Sequence, residues 1–105
     1  MTPNLTGQTA LITGAARGMG RVTARALAAM GARIILVDWE GEEGTRTRDR
    51  INADHGHRHA DGRAADFLYC DLSSFAEVRA LAATVTARYP ALHVLVNNAG
   101  ITDPV

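Results

Sequence analysis

Three glycines, Gly14, Gly18 and Gly20, are the residues of this sequence best suited to bind an anion, and their spacing is GxxxGxG. The first amides of a helix are unpaired donors at the positive end of its dipole, so a phosphate can rest on them where no side chain intervenes. Gly14 allows a tight turn, Gly18 allows close approach to the backbone, and Gly20 allows the helix to pack against a sheet. The stretch therefore predicts a pyrophosphate-binding turn, with a plain glycine turn as the alternative.

Asp38 follows an apolar run at positions 34–37 and is the second feature suited to ligand binding. A carboxylate at this place in a parallel sheet accepts hydrogen bonds from the adenine-ribose hydroxyls of a dinucleotide. It would also repel a 2′-phosphate by about 4 kcal/mol per unit-charge pair at 4 Å and an effective dielectric of 20, so NAD is favoured over NADP. The alternative is a solvated carboxylate. Arg17 either reaches a 2′-phosphate or is a solvated loop side chain, and the sequence leaves both open.

The elements that must position these residues show as four short apolar runs separated by longer segments. The runs cover positions 10–12, 34–37, 67–70 and 94–96. The first, second and fourth are continuous instead of alternating, which is typical of parallel strands covered on both faces. The runs therefore predict four strands.

The intervening segments predict three helices. The segment from 40 to 53 predicts a largely exposed second helix, with Ile51 among its few buried contacts. The third helix would begin with a capping box of Ser74 and Glu77 and end before Pro90. Gly31 would end the first helix. Apolar stripes at helical spacing in the first and third helices comprise Met19, Val22, Thr23, Ala26, Leu27 and Met30, and Val78, Leu81, Ala82, Val85 and Tyr89.

The order βαβαβαβ predicts an α/β fold with a Rossmann-type parallel sheet of strand order 3-2-1-4. Right-handed crossovers place the first two helices on one face of the sheet and the third helix on the other. The 105 residues would form a single domain. Four strands correspond to half to two-thirds of a doubly wound sheet, so we expect residues 1–105 to be the N-terminal part of such a domain.

The pattern of motifs resembles the short-chain dehydrogenase/reductase family over roughly residues 5–102. Residues 13–20 resemble its TGxxxGxG cofactor motif, residues 97–100 resemble its NNAG motif, and Asp71 resembles its acidic residue after the third strand. The resemblance implies the NAD(P)-binding portion of an enzyme that transfers hydride between nicotinamide and an alcohol or carbonyl substrate. The cofactor-binding positions that it implies are Gly14, Arg17, Gly18, Met19, Gly20, Asp38, Trp39, Asp71, Leu72, Asn97, Ala99 and Gly100.

The resemblance also assigns individual roles. Trp39 would pack near the adenine ring, Asp71 would accept a hydrogen bond from its amino group, and Leu72 would lie beside it. Asn97 would border the cofactor and tie neighbouring strands together.

The family's catalytic residues are a Ser, together with a Tyr and a Lys that form a YxxxK pattern. In the family they lie beyond the equivalent of the last residue of this sequence. The sequence contains no lysine, and its two tyrosines are Tyr69 and Tyr89. No catalytic residue is therefore assigned, and we expect the chain alone to be catalytically inactive, with a small-molecule substrate only in a complete enzyme. We also expect it to be marginally stable or to self-associate through an exposed fourth-strand edge. A stand-alone nucleotide-binding or regulatory module and a non-functional remnant remain the alternatives.

Composition excludes several other classes of protein. Eleven basic and eleven acidic side chains give a net charge of zero, which provides no electrostatic footprint for nucleic acid or an anionic membrane. No apolar run approaches the roughly 20 residues that span a bilayer. The single Cys70 is expected to be a packed core residue, excludes an internal disulfide and favours a cytoplasmic location. The histidines at 55, 57 and 59 lie in a polar loop without a ligand set, so no metal site is predicted.

Overall fold

The computed structural model describes residues 4–98, which contain four strands in one parallel sheet. The strands are β1 (Thr9–Thr13), β2 (Arg33–Asp38), β3 (Ala65–Tyr69) and β4 (Val94–Val96). Their order across the sheet is β3-β2-β1-β4, and each neighbouring pair is parallel. The predicted Rossmann-type topology is therefore confirmed.

Three helices connect the strands: α1 (Gly18–Ala29), α2 (Gly41–His55) and α3 (Phe75–Arg88). A short 3-10 turn (Gly56–Arg58) follows α2. The end of α1 is as predicted, because Gly31 has a φ of +100°, a conformation that L side chains rarely adopt. No helix within residues 4–98 combines the length and the apolar character needed to cross a membrane.

The predicted capping box of α3 is only half formed. The Ser74 hydroxyl accepts a hydrogen bond from the Glu77 amide at 3.2 Å, as expected. The Glu77 carboxylate, however, accepts from the Asp71 amide at 3.0 Å, and the Ser74 amide donates to the Asp71 carbonyl at 3.0 Å. The loop after β3 therefore folds back onto the helix, and the Glu77 carboxylate closes this loop instead of the helix end.

Two apolar clusters lie on opposite faces of the sheet, as right-handed crossovers require. Helices α1 and α2 cover one face, and α3 packs on the other. The first cluster, called the α1/α2 cluster here, comprises Ala10, Ile12, Ala15, Ala24, Ala28, Ala32, Ile34, Leu36, Ile51, Ala64 and Ala65. The second, the α3 cluster, has Leu11, Ile35, Val37 and Cys70 buried, with Leu68, Leu72, Leu81, Val85 and Tyr89 partly buried against them.

The apolar stripe predicted for helix α1 is only partly buried. Met19 is 70% exposed and Val22 is also exposed, whereas Gly20, Ala24 and Ala28 are buried. These three residues recur every four positions and have little or no side chain, so the helix axis can come close to the strands. The predicted stripe is therefore right in part: Leu27 packs against the α1/α2 cluster, whereas Met19 and Val22 are exposed.

Helix α3 and strand β4 are only partly covered. No residue of α3 is fully buried, and Phe75 at its start is 85% exposed. Leu95, the middle residue of β4, is 64% exposed. The prediction that the fourth strand is covered on both faces is therefore wrong for the part of the chain that the structure describes.

Candidate cofactor site

The carboxyl ends of β1 and β2 bring together the two features that the sequence singled out. The glycine turn leaves the end of β1, and Asp38 is the last residue of β2. The strands are parallel and directly paired, with Thr13 opposite Val37, so both features lie along the edge of the sheet that the carboxyl ends of its strands form. Ligands of open α/β sheets bind at this edge.

The glycine turn has the backbone conformation that exposes the start of α1. Gly14 and Gly18 have φ values of +62° and +61°, a region that favours glycine. Arg17 precedes the helix in an extended conformation, and its side chain makes no capping hydrogen bond. The first turn of α1 contains no acidic residue. The amides there remain available to an anion, which is the requirement for a phosphate site.

A side chain at Gly18 would meet no atom within 4 Å, whereas one at Gly20 would collide with the turn. A Cβ at Gly20 would lie 2.1 Å from the Gly14 carbonyl oxygen and 2.7 Å from Asn98 Nδ2. Gly20 therefore lets α1 approach the glycine turn itself, whereas the sequence suggested an approach to the sheet. The open space beside Gly18 and the closed space beside Gly20 fit a turn that is packed inside and accessible outside.

Asp38 is held in place by backbone amides of the neighbouring turns. Asp38 is only 7% exposed, so the alternative of a solvated carboxylate is wrong. One oxygen accepts a hydrogen bond from the Ala16 amide at 3.0 Å, and the other accepts from the Glu40 amide at 2.9 Å. An ionised carboxylate offers about four lone-pair sites, so roughly two remain for a ligand.

Arg17 forms an ion pair that neither alternative from the sequence anticipated. Its guanidinium Nη2 lies 2.6 Å from Glu40 Oε1, and the two side chains are 63% and 23% exposed. Glu40 is the N-cap residue of α2, so the pair joins the starts of α1 and α2. The partners are 23 positions apart in the sequence, and only the sheet brings them together.

The end of β4 is tied to β1 and to the glycine turn through side-chain contacts. The Thr13 hydroxyl lies 3.3 Å from Asn97 Oδ1 and accepts a hydrogen bond from the Asn98 amide at 3.0 Å. Asn98 Nδ2 donates to the Gly14 carbonyl at 3.2 Å. Sequence reasoning gave Asn98 and Thr13 no role; their position in the two motifs was the available signal. Ala99 and Gly100 lie outside the described residues.

The remaining predicted positions lie along the same edge. Asp71 and Leu72 follow β3, two strands away from β1. Asp71 accepts hydrogen bonds from the hydroxyl and the amide of Ser73, at 2.7 and 3.0 Å, and these hold the pKa of its carboxyl below the usual value. Leu72 packs against the α3 cluster. Trp39 and Met19 are exposed.

Two other reactive side chains, Tyr89 and Cys70, are held within the fold by a hydrogen bond or by burial. The Tyr89 hydroxyl donates to an Asp66 oxygen, and burial together with this carboxylate raises the pKa of Tyr89 well above its usual value. Cys70 is buried, as predicted, and burial raises the pKa of its thiol. Within residues 4–98, no group of three or more His, Cys, Asp or Glu side chains is placed to hold a metal ion.

Comparison with known proteins places these features in a family. The sequence matches the short chain dehydrogenase family over residues 8–105. The short chain dehydrogenase helC of Aspergillus fumigatus is 42% identical over 92 residues, covering 88% of this chain and 34% of that protein. The human 15-hydroxyprostaglandin dehydrogenase, whose name specifies NAD(+), is 33% identical over 100 residues, covering 95% of this chain and 36% of that protein.

Solved structures agree with the sequence relatives. The crystal structure of a metagenomic short-chain oxidoreductase in complex with NADP superposes with a TM-score of 0.80 at 38% identity, covering 92% of this chain and 41% of that one. The present chain spans 34% of the length of the helC protein and 36% of the human enzyme. The family match, the parallel sheet and the glycine turn all agree, and the chain belongs to the short-chain dehydrogenase family.

Proposed function

We propose that this chain binds NAD and is the cofactor-binding portion of an oxidoreductase that transfers hydride between nicotinamide and an alcohol or carbonyl substrate. The observation that carries the proposal is the glycine turn. Gly14 and Gly18 adopt positive φ, and the uncapped start of α1 stands next to a buried carboxylate. When bound, nicotinamide supplies the hydride chemistry.

The residues of this chain would bind and orient the adenosine and pyrophosphate parts of the cofactor. Amides of residues 18–20 would hold the pyrophosphate, with Met19 beside it. Asp38 would accept hydrogen bonds from the adenine-ribose hydroxyls through the lone pairs that its two backbone partners leave free. Trp39, Asp71 and Leu72 would border the adenine. Asn97, Ala99 and Gly100 would line the remainder of the cofactor.

NAD is favoured over NADP because of the charge of the residues that would surround the adenine ribose. These residues, Asp38, Glu40 and Arg17, are called the adenine-ribose corner here. Asp38 and Glu40 carry two negative charges there, and Arg17 carries one positive charge that is already paired with Glu40. A 2′-phosphate would therefore meet net repulsion. Relatives do not decide this point, since one is named for NAD(+) and a solved neighbour holds NADP.

The 105-residue chain by itself is proposed to bind cofactor without turning over substrate. It contains no lysine, so the YxxxK pair of the family does not occur in it, and Tyr89 is engaged with Asp66. A nucleotide-binding module without catalysis is accordingly the second candidate. We also propose a cytoplasmic location, with which a single, buried Cys70 is consistent.

Calorimetric titration tests the proposal with ligands that separate the two ends of the cofactor. NAD and ADP-ribose should bind with similar affinity, because both contain the adenosine and pyrophosphate groups. Nicotinamide mononucleotide lacks the adenosine and should bind far more weakly. Absence of saturable binding by both NAD and ADP-ribose would refute the proposed function. A parallel assay with short alcohols and ketones should show no turnover by the chain alone, and turnover would refute the second half of the proposal.

A further inference from the structure

Glu40 contacts both of the other charged residues at the adenine-ribose corner, Asp38 and Arg17. Its amide donates to Asp38 Oδ1 at 2.9 Å, and its carboxylate lies 2.6 Å from the guanidinium of Arg17. Its carbonyl accepts the first helical hydrogen bond of α2, from the Gly44 amide at 2.9 Å. Backbone contacts therefore fix this residue on both sides, and its carboxylate is presented to Arg17 from a well-defined N-cap.

The ion pair changes what Arg17 can bind. Arg17 is the basic residue of the glycine turn, and its side chain is 63% exposed. A guanidinium at that position would suit a phosphate, because its planar fork donates two parallel hydrogen bonds. In this chain one nitrogen of the Arg17 guanidinium already pairs with a Glu40 oxygen, and Asp38, Glu40 and Arg17 together have a net charge of −1.

We propose that Glu40 determines cofactor selectivity by holding Arg17 in an ion pair, so that this guanidinium is not free to bind a ribose 2′-phosphate. This inference rests on the proposed binding of the dinucleotide at the glycine turn. It assigns the discrimination to two residues acting together: Asp38 repels the 2′-phosphate directly, and Glu40 withholds the cation that would offset the repulsion. The chemical group that the pair rejects is a phosphate monoester on the ribose.

The test replaces Glu40 with glutamine and compares two ligands that differ only in the 2′-phosphate. Adenosine 5′-monophosphate and adenosine 2′,5′-bisphosphate are titrated into the protein by calorimetry, and NAD and NADP are titrated in the same way. Glu40→Gln keeps the side-chain length and the N-cap backbone but removes the charge. Affinity for the 2′-phosphorylated ligands should rise about tenfold relative to their partners, the gain of one charge-assisted hydrogen bond.

Glu43→Gln provides a matched control on the same helix. Glu43 pairs with Arg46 at 2.5 Å, and its side chain is 27% exposed against 23% for Glu40. The control removes the same charge and the same kind of ion pair without touching Asp38 or Arg17. Its ligand preference should equal that of the unmodified protein. An equal shift in both variants would overturn the proposal, because net charge alone would then explain the effect.

Two further variants identify Arg17 as the responsible group. Arg17→Ala in the unmodified background should leave the ratio of affinities for the 2′-phosphorylated and unphosphorylated ligands nearly unchanged, because the pair already withholds this side chain from the 2′-phosphate. The double variant Arg17→Ala with Glu40→Gln should lose the gain seen in Glu40→Gln. A large fall in this affinity ratio in Arg17→Ala alone would show that Arg17 binds the 2′-phosphate despite Glu40, and would overturn the inference even if Glu40→Gln failed to fold.

The outcomes separate this inference from the proposed function. If the unmodified protein binds neither NAD nor adenosine 5′-monophosphate, both fail together. If it binds NAD and the preference of Glu40→Gln stays unchanged while its circular dichroism and melting remain native, only the role of Glu40 fails.

Discussion

The two faces of the sheet differ in how completely they are covered, and β4 shows the difference within three residues. Val94 and Val96 point to the face of α1 and α2 and pack against the α1/α2 cluster. Leu95 pairs in register with Leu11, a residue of the α3 cluster, and is 64% exposed. Successive side chains of a strand alternate between faces, so one strand samples both environments. A continuous apolar run is therefore not sufficient for burial on both faces.

The comparison extends to the helices. Helix α2 has few apolar residues, yet Ile51 is completely buried. Helix α3 has a regular apolar stripe, yet none of its residues is completely buried. Burial depends on neighbouring elements as much as on the stripe itself, and α2 has α1 beside it on the same face.

The largest expected effect tests the difference in burial directly. Ile51→Ala in α2 should lower the free energy of unfolding by about 2–5 kcal/mol, because it leaves a cavity in the α1/α2 cluster. Leu81→Ala removes a side chain of the same size from α3 and should cost only about 1 kcal/mol, because Leu81 is partly buried. Urea denaturation measures both. Equal losses would show that the α3 face contributes as much to the core as the other face.

A smaller effect is expected where α1 meets the glycine turn. Gly20→Ala places a methyl group 2.1 Å from the Gly14 carbonyl oxygen, and this backbone atom cannot move aside cheaply. The variant should lose about 1–3 kcal/mol of stability and should lose its affinity for ADP-ribose. Gly41→Ala is the matched control, because a methyl group there meets no atom within 4 Å. A Gly20→Ala protein with native stability and binding would contradict the close approach of helix and turn.

A substitution in the exposed edge strand β4 should change self-association more than the free energy of unfolding. We expect the chain to self-associate through β4, which lies at one edge of the sheet in the described residues. Leu95→Glu places a charge on this edge and should shift light-scattering masses toward the monomer, with stability changed by no more than about 0.5 kcal/mol. Leu92→Glu, also exposed but outside the strand, is the control. A purely monomeric unmodified chain would refute the expectation.

The smallest expected effect concerns His59, in the loop that leads from α2 to β3. Burial and the nearby Arg33 lower the pKa of His59 below its usual 6.5. The unfolded chain therefore binds a proton before the folded chain does, so stability is complete above about pH 6.5 and declines as the pH falls below it. His59→Gln should flatten this decline, whereas His57→Gln, at an exposed neighbouring position, should preserve it. Denaturation curves at pH 7 and pH 5 measure the slope.

The sequence by itself determined the order of the elements, the parallel sheet and the glycine turn. These follow from local rules: apolar runs form strands, the spacing of small and apolar residues forms helices, and glycine adopts the positive φ at Gly14 and Gly18 most readily. Asp38 was also located correctly at the end of β2. A residue that directly follows a buried apolar run must lie where the strand leaves the sheet. The cofactor role of these residues remains a prediction.

Tertiary structure alone decided which atoms meet. The most deeply buried residues of α1 are Gly20, Ala24 and Ala28, because a close approach of the helix to the glycine turn and the sheet selects small side chains over the most apolar ones. The pairing of Arg17 with Glu40 joins groups far apart in the chain and depends on two parallel strands ending side by side. Such contacts have no signature in residue spacing, since they arise only when separate elements are packed together.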